Sequence, residues 1–209
     1  MRLKEQIAIL ALGAGFAGCT PQPATNLIED NMEFAQQQLR FAFDEIDYAI
    51  VNESPESRAK REKNGWGELT NPRNSEPDGT LNLVPSKDWT SGFFPGELWF
   101  LYEYTQNNFW KKKAQQHTDI LEKEKMNGST HDMGFKVYCS FGNGYRLTQD
   151  EHYKEVLLQS ARTLAMRFKP AAGIIRSWDH STAKWLCPVI IDNMMNLELL
   201  FWATKESKD

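Results

Sequence analysis

Two aspartates in this chain sit in sequence surroundings that disfavour a charge. Asp132 lies in His131-Asp132-Met133-Gly134-Phe135, and Asp192 lies in Ile190-Ile191-Asp192-Asn193-Met194-Met195-Asn196-Leu197. A carboxylate among Ile, Met and Phe must be paired, hydrogen-bonded or neutralised by a raised pKa. The last outcome gives a carboxylic acid able to donate a proton near neutral pH. Local roles stand beside the chemical one. Either aspartate can cap the helix that follows it. His131 can orient Asp132 or be a structural histidine. Asn193 and Asn196 can hold a carboxylate or be ordinary polar positions.

Other reactive residue types offer less. The four histidines (117, 131, 152 and 180) and the three cysteines show no HxxxH or CxxC spacing, so neither a metal nor a cofactor is expected. Cys139 and Cys187 sit among apolar residues, which suits buried free thiols as well as a pair.

The elements that must position these groups read as helices. Asn26 to Val51 carries Leu27, Phe34, Leu39, Phe41, Ile46 and Ile50 at roughly helical spacing. Further helices are expected over 93–105, with Pro95 in the first turn, and over 108–125, 131–147, 150–168 and 190–204. Asp150 is the expected cap of the fifth of these six. Gly134, Gly142 and Gly144 make the fourth either tightly packed or broken. Residues 52–88 read as one long irregular excursion and 170–189 as a connector. No strand alternation stands out, which gives an all-α class.

Composition narrows the partners. The chain has 209 residues, a net charge of −4 and 12% aromatics, which suits one sizeable core and possible sugar stacking. With no basic block beyond Lys111-Lys112-Lys113, nucleic acid is not an expected partner. Arg2 and Lys4 precede a short apolar run from Ile7 to Gly18, too short for a permanent span. The run ends in Phe16-Ala17-Gly18-Cys19, similar to a bacterial lipobox, although Phe16 fits less well than Leu. The expected order is a signal peptide (1–18), a lipidated Cys19 with a tether (19–26), and one domain (27–209). That places the chain in the bacterial periplasm or outer membrane, lipid-anchored to a membrane. A plain secretory signal with an incidental cysteine is the alternative.

Four blocks carry a wider resemblance: Asp88-Trp89-Thr90-Ser91-Gly92-Phe93-Phe94-Pro95-Gly96, His131-Asp132-Met133-Gly134-Phe135, Arg176-Ser177-Trp178-Asp179 and Ile191-Asp192-Asn193-Met194-Met195-Asn196. In this order and with these separations the chain resembles the unsaturated glucuronyl hydrolases, which are (α/α)6-barrel glycosidases. The resemblance implies a partial (α/α)6 barrel, about half of the helical toroid and its N-terminal part. It implies release of 4,5-unsaturated glucuronic acid from the non-reducing end of oligosaccharides made by polysaccharide lyases. It makes Asp192 the acid and base, Asp132 its charged neighbour, and Trp89, Trp178 and His131 substrate-binding residues. An unsaturated rhamnogalacturonyl hydrolase, a lipid-anchored non-catalytic glycan-binding protein and an inactive truncated fragment are the alternatives. Half a toroid would leave apolar helical faces open to association.

Overall fold

Helix boundaries follow from caps more than from composition. In the computed structural model, which describes residues 24–181 and 183–208, helix α1 runs Ala24–Val51. It starts before the expected Asn26, so the tether does not reach that residue. The signal peptide and Cys19 lie outside the described residues. No helix among the described residues is long and apolar enough to cross a membrane. The chain divides into two compact units, one ending at Gln38 and the other beginning at Leu39. In the first, Leu27, Ile28 and Phe34 are exposed. In the second, Phe43 and Ile46 are buried.

The excursion over 52–88 is better ordered than its composition suggests. Ser54 caps α2 (Pro55–Lys63) by accepting the Ser57 amide at 3.1 Å, and Pro55 takes a first-turn position where its missing N–H costs nothing. Strands β1 (Leu69–Ser75) and β2 (Leu81–Pro85) then pair antiparallel. Pro72 and two register irregularities break the alternation that would have announced them. Their turn does carry a signal: Asp78 accepts Thr80 N and Oγ1 at 3.0 and 2.7 Å, and Gly79 adopts φ +91°. Asn71 of β1 is fully buried, donates to the Ser91 carbonyl at 2.7 Å and meets His117 Nδ1 at 2.7 Å.

Helices α3 (Phe93–Thr105) and α4 (Asn108–Asp119) pack as a pair. Trp99 and Trp110 are fully buried, and Trp99 Nε1 donates to Thr118 at 2.9 Å. The expected helix over 108–125 stops at Asp119 and continues as a 3-10 helix, Glu122–Met126. His117 packs against Phe43 and Phe94. Its pKa is pushed down to about 4 by burial and by the nearby Lys113, against a smaller opposing effect of Asp47. A depressed histidine binds fewer protons folded than unfolded, so this stabilisation is complete above pH 6.5 and is lost toward pH 4. The shift corresponds to roughly 3 kcal/mol. Urea titrations from pH 7 to 4 should show a smaller acid loss for His117→Gln than for the parent chain. Equal loss in both would contradict this.

Residues 131–147 form neither a plain helix nor a simple break. A π-helix, Gly134–Gly142, runs into α5 (Asn143–Thr148). Glycines let its backbone lie against its neighbours. A Cβ on Gly92, at the start of α3, would meet the Phe135 and Lys136 carbonyl oxygens at 2.2 and 2.3 Å. Gly92→Ala should therefore destabilise the fold by about 3 kcal/mol. A melting temperature within a degree or so of the parent would contradict that contact.

Asp150 caps α6 (Glu151–Ala165) as expected, accepting His152 N at 2.9 Å. A second hairpin, β3 (Phe168–Lys169) and β4 (Ile174–Ile175), lies between α6 and the last helices. Two hairpins thus qualify the all-α expectation without changing its mainly helical character. The expected final helix over 190–204 is two, α7 (Asn193–Asn196) and α8 (Glu198–Ser207). Ile191, Met194, Met195 and Phe201 are exposed. Cys139 and Cys187 are unpaired and only half-buried, with the Cys139 thiol pushed up to about 11 mainly by desolvation.

Candidate active site

The fold brings residues 131, 132 and 192 to one place. His131 is buried, and its Nε2 lies 3.2 Å from Asp132 Oδ1 and 3.9 Å from Asp192 Oδ2. The other face of the ring fixes its protonation. Asn193 donates from Nδ2 to the Ile175 carbonyl at 2.7 Å, which turns its Oδ1 toward His131 Nδ1 at 2.8 Å. An amide oxygen only accepts, so His131 Nδ1 carries a hydrogen. Nε2 is left facing the two carboxylates.

Neither aspartate caps a helix. Asp132 Oδ2 accepts from Thr130 Oγ1, which itself accepts the Asp132 amide at 3.1 Å. Asp192 occupies the cap position of α7 yet makes no side-chain cap bond. Its Oδ1 is buried with no hydrogen-bond partner among the described residues. The apolar neighbours that seemed to bury it in sequence do not: Ile191, Met194 and Met195 point outward. The Asp192 side chain itself stays one-third exposed.

Asn196 joins the two aspartate-bearing segments. Its Oδ1 accepts the Phe135 amide at 3.0 Å, and a Cβ on Gly134 would lie 2.6 Å from Asn196 Cα. The two asparagines therefore hold the histidine and the π-helix rather than a carboxylate.

The two tryptophans expected to meet a sugar lie in separate aromatic clusters. Trp89 is exposed, and its ring lies 5.6 Å from that of Phe135 and 5.8 Å from that of Phe93. Trp178 is half-buried on the connector, stacked on His180 at 5.5 Å and edge-on to Trp185 at 6.3 Å. Ser177 beside it accepts the Ile190 amide at 3.2 Å, which ties this stretch to the approach to Asp192. Arg176 and Arg146 are both engaged: Arg176 pairs with Asp179, and Arg146 with Glu103 at 2.6 Å.

Support below the site was not legible in the sequence. Lys136 is fully buried and reaches Glu124 at 2.8 Å, and Glu124 also accepts from Ser86 and Asn127, each at 2.7 Å. Burial pushes the Glu124 carboxyl up, but the Lys136 charge and these hydrogen bonds outweigh it and hold it low.

His131, Asp132 and Asp192 each offer one ligand atom within 4.8 Å of the others, a grouping that no sequence spacing reveals. Three donors match the protein ligands of a catalytic zinc in number, and fall short of the four of a structural zinc and the six or more oxygens around calcium. Proton chemistry uses the set more fully.

Relatives decide which proton chemistry to consider. No protein-family model matches the chain. Over 130 residues it is 58% identical to an unsaturated glucuronyl hydrolase of Formosa agariphila, a segment covering 62% of this chain and 32% of that protein. It is 32% identical over 143 residues to an unsaturated glucuronyl hydrolase from a Bacillus species, covering 66% and 38%. The solved structure of an unsaturated glucuronyl hydrolase specific for heparin superposes with a TM-score of 0.66 at 39% identity, over 85% of this chain and 44% of that one. The chain is a relative of the unsaturated glucuronyl hydrolases. It spans less than half the length of those it matches. The mainly helical fold is thus similar, over 85% of this chain, to part of a solved unsaturated glucuronyl hydrolase.

Proposed function

We propose that this chain carries the acid–base centre of a hydrolase that releases 4,5-unsaturated glucuronic acid from the non-reducing end of lyase-generated oligosaccharides. The observation that carries the reading is the placement of the Asp132 and Asp192 carboxylates around one histidine nitrogen, at 3.2 and 3.9 Å. The reaction is hydration of a vinyl ether. Asp192 gives a proton to C4, and positive charge develops at C5, shared with the ring oxygen. Water adds at C5 while the Asp192 carboxylate takes its proton, which restores the acid. The hemiketal opens and the glycosidic bond breaks. Asp192 Oδ1 has no hydrogen-bond partner among the described residues, which leaves it uncommitted for proton transfer. Asp132 and His131 supply negative charge and a hydrogen-bonding neighbour, and Trp89 offers an apolar face for the sugar ring.

Incubation with an unsaturated glucuronyl disaccharide should remove the ultraviolet absorbance of the C4=C5 bond. Persistent absorbance with bound disaccharide would instead favour a glycan-binding protein. Turnover confined to pectin-derived unsaturated disaccharides would favour a rhamnogalacturonyl hydrolase.

The Phe16-Ala17-Gly18-Cys19 stretch supports a second part of the proposal, lipid attachment at Cys19 and a place in the bacterial envelope. Labelled palmitate should enter the parent chain and not Cys19→Ala.

A further inference from the structure

A cavity of about 420 Å³ lies between α2 and the β1–β2 hairpin, within the size range of ligand pockets. Its rim holds Lys60, Arg61, Arg73 and Lys87 against a single carboxylate, Asp88. Two of these cations are occupied. Arg61 grips Glu53 through two bonds of 2.9 and 2.8 Å and donates to the Gly67 carbonyl at 2.6 Å. Arg73 pairs with Asp88 at 3.0 Å. Lys60 and Lys87 are exposed and have no ion pair among the described residues. Between them the cavity presents Trp66, an indole 41% exposed, with Lys60 Nζ 5.9 Å from its ring centroid.

The cavity lies beside the Trp89 cluster. Asp88 lines it, and Trp89 follows in sequence. The Arg73 guanidinium carbon lies 5.9 Å from the Trp89 ring, which in turn lies 5.6 Å from Phe135. A flat apolar ring with two uncommitted ammonium groups fits a pyranose carrying a sulfate or carboxylate: the ring stacks and the anion meets the lysines.

We infer that this groove is an anion subsite for a distal sugar of an acidic oligosaccharide, contacted through Trp66, Lys60 and Lys87. The direction of the chain, terminal sugar at the aspartates and later sugars here, rests on the proposed hydrolase function. Binding in the groove does not.

The test is calorimetric titration of the full 209-residue chain at low salt with a saturated sulfated glycosaminoglycan tetrasaccharide, which cannot be hydrated. Binding is expected, falling as salt rises. The double variant Lys60→Ala/Lys87→Ala should weaken it roughly tenfold, the size expected for two exposed ion pairs. Trp66→Ala should weaken binding of the sulfated and the desulfated tetrasaccharide by similar factors. All three side chains are exposed, and unchanged melting temperatures would confirm that the variants fold. No binding, equal affinity for a desulfated and carboxyl-reduced (neutral) tetrasaccharide, an unaffected double variant, or equal affinity for a single-stranded oligonucleotide would each overturn the inference. Hydrolysis of an unsaturated disaccharide, too short to span both places, is read separately. Its loss would refute the catalytic reading while leaving the groove result standing.

Discussion

Asp192→Asn is expected to lower turnover of an unsaturated glucuronyl disaccharide by roughly 10²–10⁴-fold, the usual worth of a positioned general acid. An amide matches the carboxylate in size but cannot deliver a proton to C4 or accept one from water. The main chain at this position keeps its role, since the Asn196 side chain bonds the Asp192 carbonyl at 3.3 Å rather than its carboxylate. Folding should therefore be little changed, and the loss should fall on kcat more than on KM. Asp132→Asn is expected to do less, because Asp132 acts through its charge and its bond from Thr130. Turnover of Asp192→Asn within a few-fold of the parent would remove Asp192 from the mechanism. The same loss with a collapsed melting temperature would assign it to structure instead.

Lys136→Met should cost about 3–5 kcal/mol, measured by urea unfolding near neutral pH. The substitution leaves Glu124 buried and without its cation, the expensive way to break an interior pair. Removing both charges, Lys136→Met with Glu124→Gln, should recover much of the loss. A double variant no better than the single one would mean that the charges themselves do not matter. Acid should narrow the gap between the parent and Glu124→Gln. The Glu124 carboxyl is held below its ordinary value of 4.5 in the fold, so its contribution is present above pH 4.5 and disappears as pH falls through the lowered folded value. The pair supports the first turn of the π-helix that follows Asp132, so a weakened pair should also loosen the site.

Local signals made part of this molecule legible in advance. Asp150 and Pro95 marked the starts of α6 and α3 because caps and first-turn prolines act within three or four residues. Ser54-Pro55 and Pro77-Asp78-Gly79 carried the same kind of information for α2 and the first hairpin, and the polar composition around them obscured it. The aspartates were recognisable from their blocks. What held them was not. His131 and Asn193 are 62 positions apart, Phe135 and Asn196 are 61 apart, and no periodicity links such partners. The expectation that Ile191 and Met194 bury Asp192 failed: these neighbours in sequence turned away from it, and its side chain stays one-third exposed.

The bond from Asn193 to the Ile175 carbonyl has a consequence for how the site can be probed. The proton on one side of the His131 imidazole is dictated by a peptide group, which every residue type at position 175 supplies alike. Alanine scanning of the second hairpin would leave that control intact. Weakening the acceptor itself, by replacing the amide that follows Ile175 with an ester, would expose it, and so would any bound molecule that shifts the hairpin backbone. The tautomer is thus encoded in chain path rather than in side-chain identity.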